Sequence, residues 1–268
     1  MIVDLHIHSD ESDSTLAAPE IIEQAKRAGL ELISITDHDT TVGQDLNRKL
    51  AHDAGIAYIK GIEISAYDKQ TDTQVHILGY DYKNDALLDD FCTGINARRK
   101  EAGIIMTEQI IAAGYKITVD DVLKYTKSGI IYRFHIVHAL AARGFGDLSL
   151  YTRLFGKPGI AHAPFEYADA TEAVAVVREA GGLAVIAHPA EYNNWHCIER
   201  LADTGLVGLE LHHPRHTSRD ATGLLDAAQK YGLFTTSGSD FHGMYVRNPV
   251  PIGYGCTAAP EEILHLLS

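Results

Sequence analysis

Leu32-Ile-Ser-Ile-Thr-Asp-His-Asp39 runs from four residues of strand-forming character straight into a cluster of acid and imidazole. An apolar run so short, bounded by polar residues, reads as a strand buried on both faces, and such strands belong to parallel sheets covered by helices. Upstream, Ile2 to His8 alternates and sets His6 and His8 on one face of an extended strand. Pro19 to Ala28 then reads as a helix, with Pro at its first position and Gly29 as its stop. Downstream the unit repeats, with a helix over Thr41 to Ala54 and strands over Ala57 to Ile59, Ile62 to Ile64 and Gln74 to Tyr80. Helical spacing over Asp85 to Ala113 and Phe134 to Ala142 interrupts the alternation. It resumes with a helix (Ala170 to Ala180), a strand (Leu183 to Ala187), a helix (Ile198 to Asp203), a strand (Val207 to Leu211), a helix (Ala221 to Tyr231) and a strand (Phe234 to Ser237). The pattern predicts an α/β protein with parallel strands, arranged as a closed or nearly closed barrel or as an open doubly wound sheet. Residues 1–85 and 166–268 form its two parts, and 86–165 a mostly helical insertion.

The 268 residues carry 36 acidic and 23 basic side chains, a formal charge of −13, with 15 histidines and three cysteines. An apolar share of 46 % suffices for a core, and no run approaches the roughly 20 apolar residues that span a bilayer. The first residues show neither a basic stretch nor a cleavage pattern, so a cytoplasmic protein is expected. The excess of acid argues against a long nucleic acid or an anionic membrane as partner, because both are held by clustered Lys and Arg. Cys92, Cys197 and Cys256 are odd in number and far apart, which excludes a disulfide scaffold and a thiolate zinc site. Any metal is therefore held by nitrogen and oxygen.

His6, His8, His38, Glu63, His188, Asp240 and His242 all fall at or just beyond the C-terminal ends of expected strands, and His76 lies on a strand with them. In a parallel barrel that edge collects the functional loops. Imidazole and carboxylate without thiolate suit Zn, Mn or Fe in a hydrolytic site. Glu63 stands between Ile62 and Ile64, where an inward carboxylate is costly unless paired or metal-bound. Glu210, between Leu209 and Leu211, is either a partner to such a site or a hydrogen-bonding group of the interior. Thr36 to Asp39 also reads as a helix cap, and the two readings are compatible.

Asp4-Leu-His-Ile-His-Ser9 with Ser12-Asp13, Ile35-Thr-Asp-His-Asp39, Gly61-Ile-Glu63, Val75-His-Ile77, Ile186-Ala-His-Pro189 and Ser237-Gly-Ser-Asp-Phe-His242 resemble, in order, the motif series of the PHP (polymerase and histidinol phosphatase) family. The resemblance implies a distorted seven-stranded β/α barrel with two to three divalent ions, Mn²⁺, Fe²⁺ or Zn²⁺. Their ligands would be His6, His8, Asp13, His38, Glu63, His76, His188, Asp240 and His242, with Glu63 bridging two ions. It further implies a phosphoesterase in which a metal-bridging hydroxide attacks a small phosphorylated substrate, most closely the 3′-phosphate of a nucleoside 3′,5′-bisphosphate. A cyclic-phosphate phosphodiesterase, a 5′-3′ exonuclease on short RNA and a non-catalytic PHP accessory module are the alternatives. Glu63, Asp13, Arg133 and His135 are the expected catalytic residues. Arg133, His135, Lys157 and Arg215 are the expected substrate contacts, because Arg133-Phe-His135 and Gly156-Lys-Pro-Gly159 resemble segments that reach over the metals in related enzymes. The reading sets no oligomeric state.

Two positions depart from the family pattern. Ser14 replaces the usual glycine after the first Ser-Asp, and Glu191 stands where some relatives carry a basic residue. An acid there repels phosphate, and Arg215, in the run His212-His-Pro-Arg-His216, offers a compensating charge.

Overall fold

Every residue of β1 (Val3–Ile7) is buried, histidine included, so this strand runs through the interior. It pairs in parallel with β2 (Leu32–Ile35), which pairs in parallel with β3 (Ala57–Tyr58). The computed structural model describes residues 1–147 and 149–267. Helix α1 (Ala18–Arg27) links β1 to β2, burying Ala18, Ile21, Ile22 and Ala25 as one stripe. Gly29, at φ +74°, turns the chain after it. Helix α2 (Gln44–Asp53) follows β2 in the same way.

A second sheet has the order β6-β4-β5-β7-β8-β9. Its strands are β4 (Gly61–Asp68), β5 (Thr73–Tyr80), β6 (Ala168–Asp169), β7 (Leu183–Ile186), β8 (Gly208–His212) and β9 (Phe234–Ser237). Helices α7 (Ala170–Glu179), α8 (Ile198–Thr204) and α9 (Ser218–Tyr231) connect its later strands.

This corrects the expectation of uniformly parallel strands. β5 runs antiparallel to both β4 and β7. Residues 69–72 are too few for a crossover, so the chain must return beside itself. The turn is organised by Asp68, whose carboxylate accepts the Gln70 N–H and the Thr71 hydroxyl. Among the described residues the ladders do not close into one barrel either. Instead, isolated parallel bridges join the two sheets, Ile7 to Phe241 and His38 to Glu63.

Between β5 and β6 lie α3 (Asp85–Ala112), α4 (Val119–Leu123), α5 (Arg133–Ala142) and α6 (Leu150–Phe155). The first turns of α3, through Leu88, Cys92 and Ile95, belong to the core of the larger sheet. Its later turns, through Met106 and Ile110, belong to a separate apolar cluster with α4, α5 and α6.

Candidate metal centre

The site forms where the two sheets are bridged. The Asp240 N–H donates to the His6 carbonyl at 2.8 Å and the His8 N–H to the Phe241 carbonyl at 2.9 Å, joining the loop after β9 to β1. On the other side, the Asp39 N–H donates to the Glu63 carbonyl and the Glu63 N–H to the Asp37 carbonyl. Asp39, His188 and Asp240 hold left-handed backbone, at φ 55°, 29° and 50°, just where strands end. For residues with a side chain such φ values carry strain, which is concentrated at functional sites.

Glu63 is fully buried and central. Its Oε2 lies 3.3 Å from His6 Nε2, 3.2 Å from His8 Nε2 and 3.1 Å from His38 Nδ1. Its Oε1 lies 2.8 Å from His76 Nδ1 and 3.0 Å from His188 Nε2. Asp240 Oδ1 approaches His6 Nε2 at 3.3 Å and His8 Nε2 at 3.2 Å. Asp13 stands 3.5 Å from His242 Nε2 and 3.7 Å from His8 Nδ1. All nine expected ligands thus meet in one cluster, and their donor atoms fall into overlapping groups within 4.8 Å of one another. One group contains Glu191 beside His188 and Asp240, a residue that sequence reasoning treated only as a departure. Its sole signal was its place three residues after His188.

Residues outside the cluster aim it. Glu210 lies 3.1 Å from His6 Nδ1 and accepts the His188 backbone N–H at 2.8 Å, so it is the hydrogen-bonding partner of the site. Asp37 accepts from the Ser9 N–H, the Ser9 hydroxyl and the Ser12 hydroxyl, which fixes the loop bearing Asp13. Asp4 accepts the N–H groups of Ser239 and Gly253. Sequence reasoning gave neither Asp37 nor Asp4 a role. Ser14 fits its loop without the left-handed backbone a glycine would permit, its N–H donating to the Ser9 carbonyl.

The electrostatics are those of cations and anions forced together. Burial opposes charge on Glu63, yet His38, His6 and His76 hold its pKa well below the carboxylate range. Burial likewise opposes charge on Asp13, but His242, His38 and His8 bring it to about 2. His8 is raised to about 10, because attraction from the nearby Asp240 and Glu63 carboxylates outweighs its burial. Burial prevails at His38, whose pKa falls well below that of a free imidazole.

Several buried atoms here lack a hydrogen-bond partner, including His6 Nε2, both ring nitrogens of His8, His38 Nδ1 and Glu63 Oε2. An orphaned buried polar atom costs about 1–3 kcal/mol. Orphans that converge from three strands and their ends, all nitrogen or carboxylate oxygen, fit divalent cations.

The expected substrate contacts are less uniform. Arg133 and Lys157 are exposed and line a cavity of about 560 Å³ that opens on the cluster. The Arg133 guanidinium lies over the Phe155 ring at 5.6 Å. Arg215 also lines the cavity, but its guanidinium is paired with Glu191, so the two charges neutralise each other and Arg215 is no free phosphate clamp. His135 is fully buried, and its Nδ1 accepts the Tyr132 N–H at 3.0 Å. The proton therefore sits on Nε2, which has no partner.

The PHP domain family matches residues 4–179. Phosphoribosyl 1,2-cyclic phosphate 1,2-diphosphodiesterase of Eggerthella lenta is 37 % identical over 254 residues, 93 % of this chain and 97 % of the relative. The 3′,5′-nucleoside bisphosphate phosphatase of Chromobacterium violaceum is 33 % identical over 253 residues, 90 % of this chain and 87 % of the relative. A solved structure from Bifidobacterium adolescentis, described as a metal-dependent phosphoesterase, superposes with a TM-score of 0.86 at 29 % identity, covering 99 % of this chain and 95 % of that one. The chain belongs to the PHP domain family. Within that family it is a phosphate ester hydrolase.

Proposed function

We propose that the chain hydrolyses a phosphate ester of a compact nucleotide, in first place the 3′-phosphate of a nucleoside 3′,5′-bisphosphate. The carrying observation is the cavity. Its 560 Å³ suits a small ligand rather than a strand of nucleic acid. Acid and imidazole line it together with Arg133, Lys157 and Arg247 and the rings of Tyr151, Phe155, Phe165 and Tyr167. Such walls supply stacking for a base and cations for a second phosphate. A cyclic ribosyl phosphate is the second reading, favoured by the 37 % identity with the Eggerthella lenta relative.

His6, His8, Asp13, His38, Glu63, His76, His188, Asp240 and His242 would hold two to three divalent cations. When bound, such ions make water acidic enough to ionise near neutral pH and neutralise phosphoryl oxygens. Arg133 offers a planar pair of donors to the phosphoryl group, and Lys157 adds a point charge. His135, fully buried and not on the cavity wall, stands behind Arg133 as a neutral ring rather than meeting the substrate as expected. Residues 86–165 act as a lid that keeps bulk water from the ester. The reading includes a cytoplasmic location without membrane or long nucleic-acid partners; among the described residues no helix is long and apolar enough to cross a membrane.

The test is a panel of nucleoside bisphosphates, monophosphates, cyclic phosphates and short oligonucleotides assayed with Mn²⁺. Preferential release of the 3′-phosphate supports the first reading, and preference for cyclic esters replaces it with the second. Undiminished turnover in chelated enzyme would sink both.

A further inference from the structure

We propose that Arg99 is a positioning residue that docks the helical lid onto the metal centre through Tyr132. The inference rests on reading residues 86–165 as that lid. Arg99 lies on α3 where the helix passes from the core of the larger sheet, last met at Ile95, to the cluster it shares with α4, α5 and α6, first met at Met106. It is thus at the junction of the two packing units.

Its guanidinium is held by the strand side of the site and by the residue that opens α5, Tyr132. In its plane, Nη2 donates to Asp39 Oδ2 at 2.8 Å and to Ser65 Oγ at 2.6 Å, both on the strand side of the site. Across its faces, the Tyr132 ring lies 4.6 Å away and the Phe165 ring 4.7 Å. Tyr132 in turn stacks on the His38 imidazole, with centroids 5.9 Å apart and planes at 15°. Its hydroxyl reaches the His38 carbonyl at 3.4 Å. Phe165, Arg99, Tyr132 and His38 therefore form one continuous stack that ends on an expected metal ligand.

Tyr132 also transmits position forward. Its N–H donates to His135 Nδ1, which fixes the tautomer of that ring, and Arg133 is its immediate neighbour. A displaced Tyr132 would move both of the lid groups expected to meet phosphate. Nothing in the local sequence marks Arg99, which sits in the polar run Asn96-Ala-Arg-Arg-Lys100. Only the fold brings it against Asp39, sixty positions earlier.

Lysine at this position keeps the charge and can reach Asp39, but has no plane to stack. Arg99→Lys should leave folding and Mn²⁺ content unchanged, while inorganic phosphate binds the Mn²⁺-loaded protein about tenfold more weakly and amides of residues 130–140 exchange faster. Inorganic phosphate and amide exchange are chosen because neither depends on which ester is the substrate. If phosphate affinity and exchange match the wild type, Arg99 is only a surface tie and the proposal fails. If Mn²⁺ and phosphate binding fall together with the melting temperature, the role is structural and the proposal fails equally. Tyr132→Leu removes the stack from the other side and should give the same two shifts, with the double variant no worse than either single one. Additive losses would overturn the coupling.

Discussion

Glu63 offers one oxygen to His6, His8 and His38 and the other to His76 and His188, so no second side chain duplicates its place. Glu63→Gln keeps the shape and removes the charge, and is expected to abolish turnover while the far-ultraviolet dichroism stays that of the wild type. Glu210 acts at one remove. Glu210→Ala strips the partner from His6 Nδ1 and should weaken metal affinity roughly 10–100-fold, measured by competition with a chelator. His135 gives a prediction in pH. Burial lowers its pKa to about 4, although Asp13 pulls the other way. Between pH 6.5 and 4 the unfolded chain takes up a proton that the folded one refuses, so its stabilising contribution is complete above 6.5 and is lost as the pH falls toward 4. His135→Gln removes that dependence, and its melting temperature should fall less than the wild type's over this interval. An equal fall would mean the ring is not buried as a neutral group.

At the scale of elements, β1 and the loop after β9 meet in a tight joint. A Cβ on Gly238 would stand 2.2 Å from the His6 Cβ and 2.8 Å from the His6 backbone nitrogen. Gly238→Ala must therefore push β1 and its histidines away, costing about 1–3 kcal/mol and lowering bound metal; thermal melting and metal content together check it. Much of this layer is legible in the sequence. Leu32–Ile35 and Leu183–Ile186 are apolar runs closed by polar residues, and α1, α7 and α9 end at Gly29, Gly181 and Gly232 as their stop signals require. The ends of these strands are also where the acid and imidazole stand, which is why the cluster could be assembled on paper. The reversal of β5 was hidden, because strand direction depends on the length of a connection and on one side chain, Asp68, not on apolar pattern. Short α4 and α6 were hidden too, since 5 and 6 residues give no periodicity to read. Asp4 and Asp37 looked like ordinary motif residues, as partners 235 and 28 positions away leave no local mark.

For the molecule as a whole, a charge of −13 runs against a phosphate substrate. The acids at the centre explain part of it, because bound dications reverse the local sign while the exterior stays acidic. The metal-free chain meets the same need with protons, as the raised values of His6, His8 and His188 indicate. Metal uptake at neutral pH should then expel protons, and affinity should climb with pH toward about 10, where His8 gives up its proton unaided. Calorimetric titration with Mn²⁺ in two buffers of different ionisation enthalpy would reveal it as a buffer-dependent heat; identical heats would contradict it.

The bridge from Ile7 to Phe241, with Asp4 holding the Ser239 amide 235 positions away, also sets a timetable. On a growing chain, His6 and His8 emerge long before Asp240 and His242 and must wait for them. Contacts of such separation close late and slowly. Until then the early histidines lack the partners that the proposed metal site needs, and capture of metal would be the closing event of biosynthesis rather than its seed.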